Sequence, residues 1–344
     1  MKKVFLFLIT FVVLIVLSPK IVSAHEAYVL TQQEFQQGSS VITTNPLAPL
    51  LTPEYFQISS FITFCVVLAY LLVILWSLTP WAKVADGIIK KAHGIGPLII
   101  RLAVSSSFFF AAQANCFLGP ELSLASIPGG QILRFLAYVI AIMVFLGFFT
   151  EIVAALALGI FLYSSYFFGA YMMTYANYFG EFLILMLFGS RFVSLDQLLF
   201  GNKLLFTKLK KYTSLETPIV RILYGFGLIY AGYNIKFVHQ ILTIWVYNQY
   251  HLQDFFHASA GFIAAGAGLS EILIGFFIMI GFAMRFTILI SLVFITLSLI
   301  YFHELLWPHI ILYGISFSLL INSGDFLTID HYIKPLMRKL IGKK

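Results

Sequence analysis

The chain has 344 residues, of which 60% are hydrophobic and only 10% are charged. Soluble domains carry about 25% charged residues, so this composition excludes an ordinary soluble domain and predicts a chain that lies mostly in lipid. The formal net charge is +7. The Lys and Arg residues stand in short blocks between long apolar runs, which indicates membrane topology rather than nucleic-acid binding.

The N-terminus has the layout of a secretory signal peptide. Lys2 and Lys3 precede an apolar stretch at 4–17, and a small-residue cleavage site follows at 22–24. We therefore predict a signal peptide at 1–24 and a mature chain that begins at His25. The apolar stretch is long for a signal peptide, so an uncleaved signal anchor is the alternative.

Nine further apolar segments approach the length of about 20 residues that a helix needs to cross the hydrocarbon of a bilayer. A polar, extracytoplasmic N-terminal segment at 25–56 precedes them. The predicted spans are 57–80, 97–118, 130–150, 152–174, 177–196, 217–237, 258–283, 286–304 and 308–324.

The charges between these spans indicate an orientation. The predicted outer loops 119–129, 238–257 and 305–307 contain no Lys or Arg, whereas the other long loops and the tail at 331–344 are basic. Basic loops stay in the cytoplasm. We therefore predict a multi-pass protein of the cell membrane with its mature N-terminus outside and its C-terminus in the cytoplasm.

Residues 97–200 and 217–330 resemble each other as two copies of one four-helix unit. Most positions align at an offset of 134, and the first helices align at 120, so the second copy has 14 extra residues (134 minus 120) in an outer loop. The fold class predicted is therefore an all-α integral membrane protein: a tandem pair of four-helix bundles and one extra span at 57–80, after a signal peptide. The aligned pairs are Gly147 with Gly281, Gly180 with Gly314, Phe192 with Phe326, Asp196 with Asp330 and, at the shorter offset, Arg101 with Arg221.

The second unit carries Arg221 and Lys236 in its first helix, then Glu271, Gly275 and Arg285 in and after its second helix. In these residues it resembles the DoxX/DoxD-like membrane proteins. The resemblance covers 217–330 well and 97–200 weakly. It implies a four-helix membrane bundle and a role in quinone-linked oxidation of sulfur compounds or in a membrane oxidoreductase complex.

The first unit departs from this pattern. Cys116 stands where the second unit has its lysine, Ala137 where it has its glutamate, and Glu151 where it has its second arginine. We therefore expect the first unit to be structural.

Lys236 and Glu271 are the candidate catalytic residues. Ionisable groups inside a membrane are costly, so each one is a functional hypothesis by default. A bundle can bring the long lysine side chain to the carboxylate, where the pair can hydrogen-bond a quinone carbonyl or pass protons. The alternative is that Lys236 only extends to the outer interface and that Glu271 makes a structural contact.

Histidines gather at the predicted outer end of the second unit, and imidazoles beside a carboxylate such as Glu304 suit a transition metal. The alternative is that each histidine is an amphipathic side chain at the interface. After signal cleavage, His25 offers an amine and an imidazole, a pair that favours copper. The candidate metal ligands are His239, His257, His303, His309 and His25.

Other ionisable residues have simpler interpretations. Arg101 and Arg221 are predicted to anchor the cytoplasmic interface, and Glu181 is predicted to pair with Arg134 in the first unit. The small residues at 261–268 are predicted to let helices pack closely.

Three functions stay open at this point. The chain can be a component of a quinone-linked oxidoreductase system, with membrane or exported redox proteins as partners. It can be a non-enzymatic assembly partner or a metal-handling protein, or a carrier of small solutes in a cleft between the two bundles. The sequence does not decide whether the chain is an enzyme. The lipid bilayer is its predicted environment, and no nucleic acid is expected as a partner.

Overall fold

A computed structural model describes residues 30–90, 92–190, 193–201 and 207–340 of the chain. The predicted signal peptide at 1–24 and His25 lie outside these residues. The described residues are mainly helical and contain no strand.

The helices follow one another with short connections. The 3-10 turns include 169–175, and a π-helical turn spans Asn234–Val238. The α-helices are α1 Gln32–Ser39, α2 Pro53–Ser77, α3 Pro80–Lys90, α4 Gly96–Gln113, α5 Gly130–Leu146, α6 Thr150–Phe168, α7 Ala176–Phe188, α8 Leu195–Phe200, α9 Glu216–Tyr233, α10 Gln240–Gln249, α11 Leu252–Phe256, α12 Ala260–Ile280, α13 Met284–Tyr301, α14 Leu306–Ile321 and α15 Ile329–Leu340.

A helix lies in each of the nine predicted spans, but fewer meet a strict length and composition test. In the described chain, five helical stretches are long and apolar enough to cross a membrane, and one of them, Thr150–Phe188, contains both α6 and α7. The number of nine crossings stays a prediction. The other four stretches are Pro53–Ser77, Gly96–Gln113, Ala260–Ile280 and Met284–Tyr301, and the shorter apolar helices are Gly130–Leu146 and Leu306–Ile321.

The helix α2 lies beside the other helices with most of its surface exposed. Two buried tyrosines attach it. The ring of Tyr55 stacks on Phe262 with 4.3 Å between centroids, and the hydroxyl of Tyr70 is 3.0 Å from that of Thr287. The predicted span 57–80 is shifted, because the helix ends at Ser77 and Pro80 begins the separate helix α3.

The two predicted units share one core because the first helix of each packs both on the second helix of its own unit and on the fourth helix of the other. The first helix of the first unit, α4, packs on α14, and the first helix of the second unit, α9, packs on α7. A Cβ atom at Gly314 would lie 2.2 Å from that of Ala103, and one at Gly180 would lie 3.0 Å from a methyl of Leu223. These are equivalent pairs, because 180 plus 134 is 314 and 103 plus 120 is 223.

The two units also begin their third helices, α6 and α13, in the same way. Asp196 accepts a hydrogen bond of 2.7 Å from the backbone N–H of Phe149, and Asp330 accepts one of 2.8 Å from Ala283, which is 134 residues further on. Both donors have a left-handed backbone, with φ of 47° and 44°. The repeated aspartates are therefore helix N-terminal caps.

The two aligned arginines are buried, so the prediction that they anchor an interface is wrong. Arg221 is only 1% exposed; its Nε and Nη2 donate to Asp325 over 2.9 and 3.2 Å, and its Nη1 donates to the carbonyl of Ile278. Arg101 donates to the carbonyl of Val193 over 2.8 Å. Each arginine thus ties the first helix of its unit to a loop that follows the fourth helix.

We expect Arg221→Leu to lower the free energy of unfolding by about 3–5 kcal/mol, because Asp325 would remain buried without its counter-charge. The double variant Arg221→Leu/Asp325→Asn removes both charges and keeps an acceptor for the N–H of Leu327, which Asp325 binds over 2.9 Å. It should recover most of the loss in a thermal unfolding experiment in detergent. A double variant no more stable than Arg221→Leu would contradict the buried ion pair.

Candidate functional site

The helices α9 and α12 cross with their backbones in contact. A Cβ atom at Gly225 would lie 2.4 Å from the carbonyl oxygen of Gly275, and one at Gly275 would lie 2.6 Å from that of Gly225. Two turns before Gly275 on α12, a Cβ atom at Gly268 would lie 2.8 Å from the Cβ of Lys236. Glycine at these positions is what allows the two helices to approach so closely.

A π-helical turn, Asn234–Val238, continues α9 and carries Lys236. Its backbone bond runs from the N–H of His239 to the carbonyl of Asn234 over 3.0 Å. The extra residue in such a turn changes the direction of the side chains that follow, and π-turns are frequent at functional sites. Here the turn places the lysine over α12.

Lys236 and Glu271 form an ion pair, with 2.8 Å between Nζ and Oε2. Both side chains are about nine-tenths buried, at 9% and 10% exposure. The contact between them is therefore present as the sequence indicated, whereas their role stays a prediction. A buried pair of this kind needs both partners, since either charge alone would be costly.

A second acid–base pair lies on the turn between α13 and α14. His309 Nε2 is 2.6 Å from Glu304 Oε2, and its Nδ1 is 2.8 Å from the carbonyl oxygen of Leu305. A carbonyl oxygen only accepts, so Nδ1 is the donor there. The remaining ring nitrogen faces a carboxyl oxygen, so an imidazole and a carboxyl group meet at this point.

Both pairs border the same cavity, which has a volume of about 160 Å³. Lys236, Glu271, Glu304 and His309 are all among the residues that line it. Most of the remaining wall is apolar, so donors and acceptors are few and are grouped at the two pairs. The apolar part of the wall includes Leu228, Ile274, Phe294, Ile295, Phe302 and Leu312.

The N-terminal segment packs across the same end of the second unit. The N–H of Thr43 donates to the carbonyl of Val238 over 2.8 Å, and Leu30 packs against Ile235 and Leu242. The described part of the predicted segment 25–56 is therefore folded against the π-turn rather than only hydrated.

The prediction that the outer histidines form one metal site is corrected by their positions. Only His309 borders the cavity. His239 has its Nδ1 3.0 Å from the carbonyl oxygen of Val41, and His257 and His303 are exposed residues with φ of 49° and 54°. Among the residues with a described position, no three His, Cys, Asp or Glu side chains come together to hold a metal ion.

Reasoning from the sequence missed a hydroxyl cluster beside the pairs. The hydroxyl of Tyr224 is 3.1 Å from that of Ser316 and 3.3 Å from that of Ser291, deep between the helices. Ser298, which lies on the same helix as Ser291, donates to Glu304. The available signal was the presence of these hydroxyl residues inside otherwise apolar spans.

We expect Gly268→Ala to disturb the ion pair, because its new methyl group would press on Lys236 Cβ and on the ring of Phe237 at 3.1 Å. Overpacking of this kind costs about 1–3 kcal/mol. Gly266→Ala is the matched control, since a Cβ atom there meets nothing within 4 Å. Thermal unfolding in detergent should show a lower midpoint for Gly268→Ala alone; equal midpoints would contradict the close crossing.

Comparisons with models of protein families, with curated proteins and with solved structures find no match to this chain. The resemblance to DoxX/DoxD-like proteins therefore stays a prediction.

Proposed function

We propose that the chain is a DoxX-like, multi-pass protein of the cell membrane, built from two copies of a four-helix unit after one additional helix. The repeated aspartate caps and the equivalent crossings at Gly180 and Gly314 support a duplication, since both occur at the sequence offsets. In this proposal the first helix of each copy also packs on the fourth helix of the other copy, and the signal peptide and orientation are those that the sequence indicates.

We further propose that the cavity of the second unit binds a quinone headgroup. The observation that carries this proposal is the pair of buried acid–base couples, Lys236–Glu271 and Glu304–His309, on one cavity with mainly apolar walls. A quinone has two carbonyl acceptors on an apolar ring. The ammonium of Lys236 has three donors, of which one faces Glu271, so it can also donate to a carbonyl oxygen. The Nε2 of His309 reaches the second carbonyl only by giving up its contact with Glu304, and the apolar walls suit the ring.

The chemistry of the residues also suits this ligand. Conversion of a quinone to a quinol takes up two electrons and two protons. Lys236 and His309 are two side chains of this chain that border the cavity and are of types that pass protons. A membrane or exported redox partner would supply or receive the electrons, so the chain would act as one component of an oxidoreductase system.

Binding of a short-chain ubiquinone to the purified full chain tests the proposal. We expect saturable binding at one site by equilibrium dialysis in detergent. The double variant Lys236→Met/Glu271→Gln should bind about 10- to 100-fold more weakly, because hydrogen bonds to charged groups contribute about 1.5–3 kcal/mol. Removal of both charges together avoids an unpaired buried charge.

Two matched variants control this experiment. His309→Gln should weaken binding, whereas His303→Gln changes an exposed histidine outside the cavity and should leave it unchanged. Non-saturable partitioning of the quinone, equal in all variants, would contradict the proposal and favour the assembly-partner alternative.

A further inference from the structure

The first unit contains a buried carboxyl group that its packing does not explain. Glu181 has no exposed surface, and neither carboxyl oxygen has a hydrogen-bond partner among the described residues. The ion pair predicted with Arg134 is wrong, because the Nε of Arg134 donates to the carbonyl of Ala112 over 2.8 Å instead. A carboxylate without donors or counter-charge is very costly in such surroundings, so Glu181 keeps its proton there.

Shape alone does not require a carboxyl group at this position. The equivalent residue of the second unit, 134 positions further on, is Ile315, which is also fully buried. An apolar side chain can therefore fill the corresponding place in the fold. A buried ionisable group inside a membrane is retained mainly for function.

Glu181 lies between two sets of small cavities. Asn177 and Tyr178, one helical turn before it, border a cavity of about 70 Å³ that also contacts Glu271 and His309. Residues three and four apart share one face of a helix. This cavity is large enough for several water molecules, since one needs about 10–15 Å³.

One turn after Glu181, Ile184 and Leu185 border a second cavity of about 10 Å³ together with Glu216. Glu216 also borders a cavity of about 180 Å³ with Thr213 and Asn322, at the opposite end of the unit from His309. Glu181 thus stands at the junction of α7 and α9, one turn from water-sized spaces on each side.

We propose that Glu181 is a proton-carrying residue that connects the cavity at Glu271 and His309 with the cavities at Glu216. In one transfer, its carboxyl group gives its proton to a water beside Asn177 and takes another from a water beside Glu216. The net charge of Glu181 is the same before and after, and no electron moves. Arg101 and Glu216 are the titratable residues that border the smaller cavity. Those that border the larger one are Tyr171, Tyr175, Tyr178, Tyr224, Glu271 and His309.

This path would supply protons to the quinone site, and in that role it rests on the proposed function. Its conduction of protons can be measured without a quinone. The full chain is reconstituted in liposomes that contain a pH-sensitive dye, and a potassium gradient with valinomycin drives protons inward. We expect the proton flux of wild-type liposomes to exceed that of protein-free liposomes. The flux above that background should be at least 10-fold lower for Glu181→Gln. Glu34→Gln changes an exposed residue of α1 and should conduct as the wild type does.

Three further measurements separate loss of the path from loss of the fold. Glu181→Gln should unfold at a temperature no lower than the wild type and should bind ubiquinone with unchanged affinity. Its infrared spectrum should lack the carbonyl stretch of one protonated carboxylic acid. Wild-type flux equal to that of empty liposomes, or equal flux in Glu181→Gln and wild type, would overturn the relay and leave the quinone site to its own binding test.

Discussion

The backbone contact between α9 and α12 is the constraint on which the candidate site depends. At Gly225 and Gly275 neither helix has a side chain, so the two backbones touch. That distance sets how far Lys236 must reach, and the π-turn then directs it onto Glu271. A larger interhelical distance would leave two uncompensated charges between apolar helices, which is the more costly arrangement.

The same requirement for paired charges explains the other polar features of the core. Arg221 is neutralised by Asp325, and His309 is held between Glu304 and a backbone carbonyl. These pairs lie at the two ends of the second unit, and the packing of α4 on α14 and of α9 on α7 brings the first unit against that unit. Glu181 differs from these groups, because it is buried and its carboxyl oxygens have no hydrogen-bond partner among the described residues. Its position between cavities suits the proposed transfer of protons.

Much of this arrangement follows from the sequence, and the rest depends on tertiary contacts. Apolar runs place a helix in each of the nine predicted spans, and the repeated aspartates become equivalent caps. The sequence offered a contact between Lys236 and Glu271 as one of two alternatives, because a bundle of neighbouring helices can bring the long lysine side chain to the carboxylate. The burial of Arg221 was not predictable, since its partner Asp325 is 104 residues away. The dispersal of the histidines was also missed, because turns with a left-handed backbone at His257 and His303 direct them outward.

We propose that a quinone headgroup lies beside the two acid–base pairs of the second unit. The most direct measurement is labelling of the full chain by a photoreactive ubiquinone, followed by peptide mapping of the adducts. We expect adducts on cavity residues such as Leu228 and Phe294. Labelling of these residues should be lost when unmodified quinone is added. Adducts confined to the exposed surface of α2, with no competition by unmodified quinone, would contradict it.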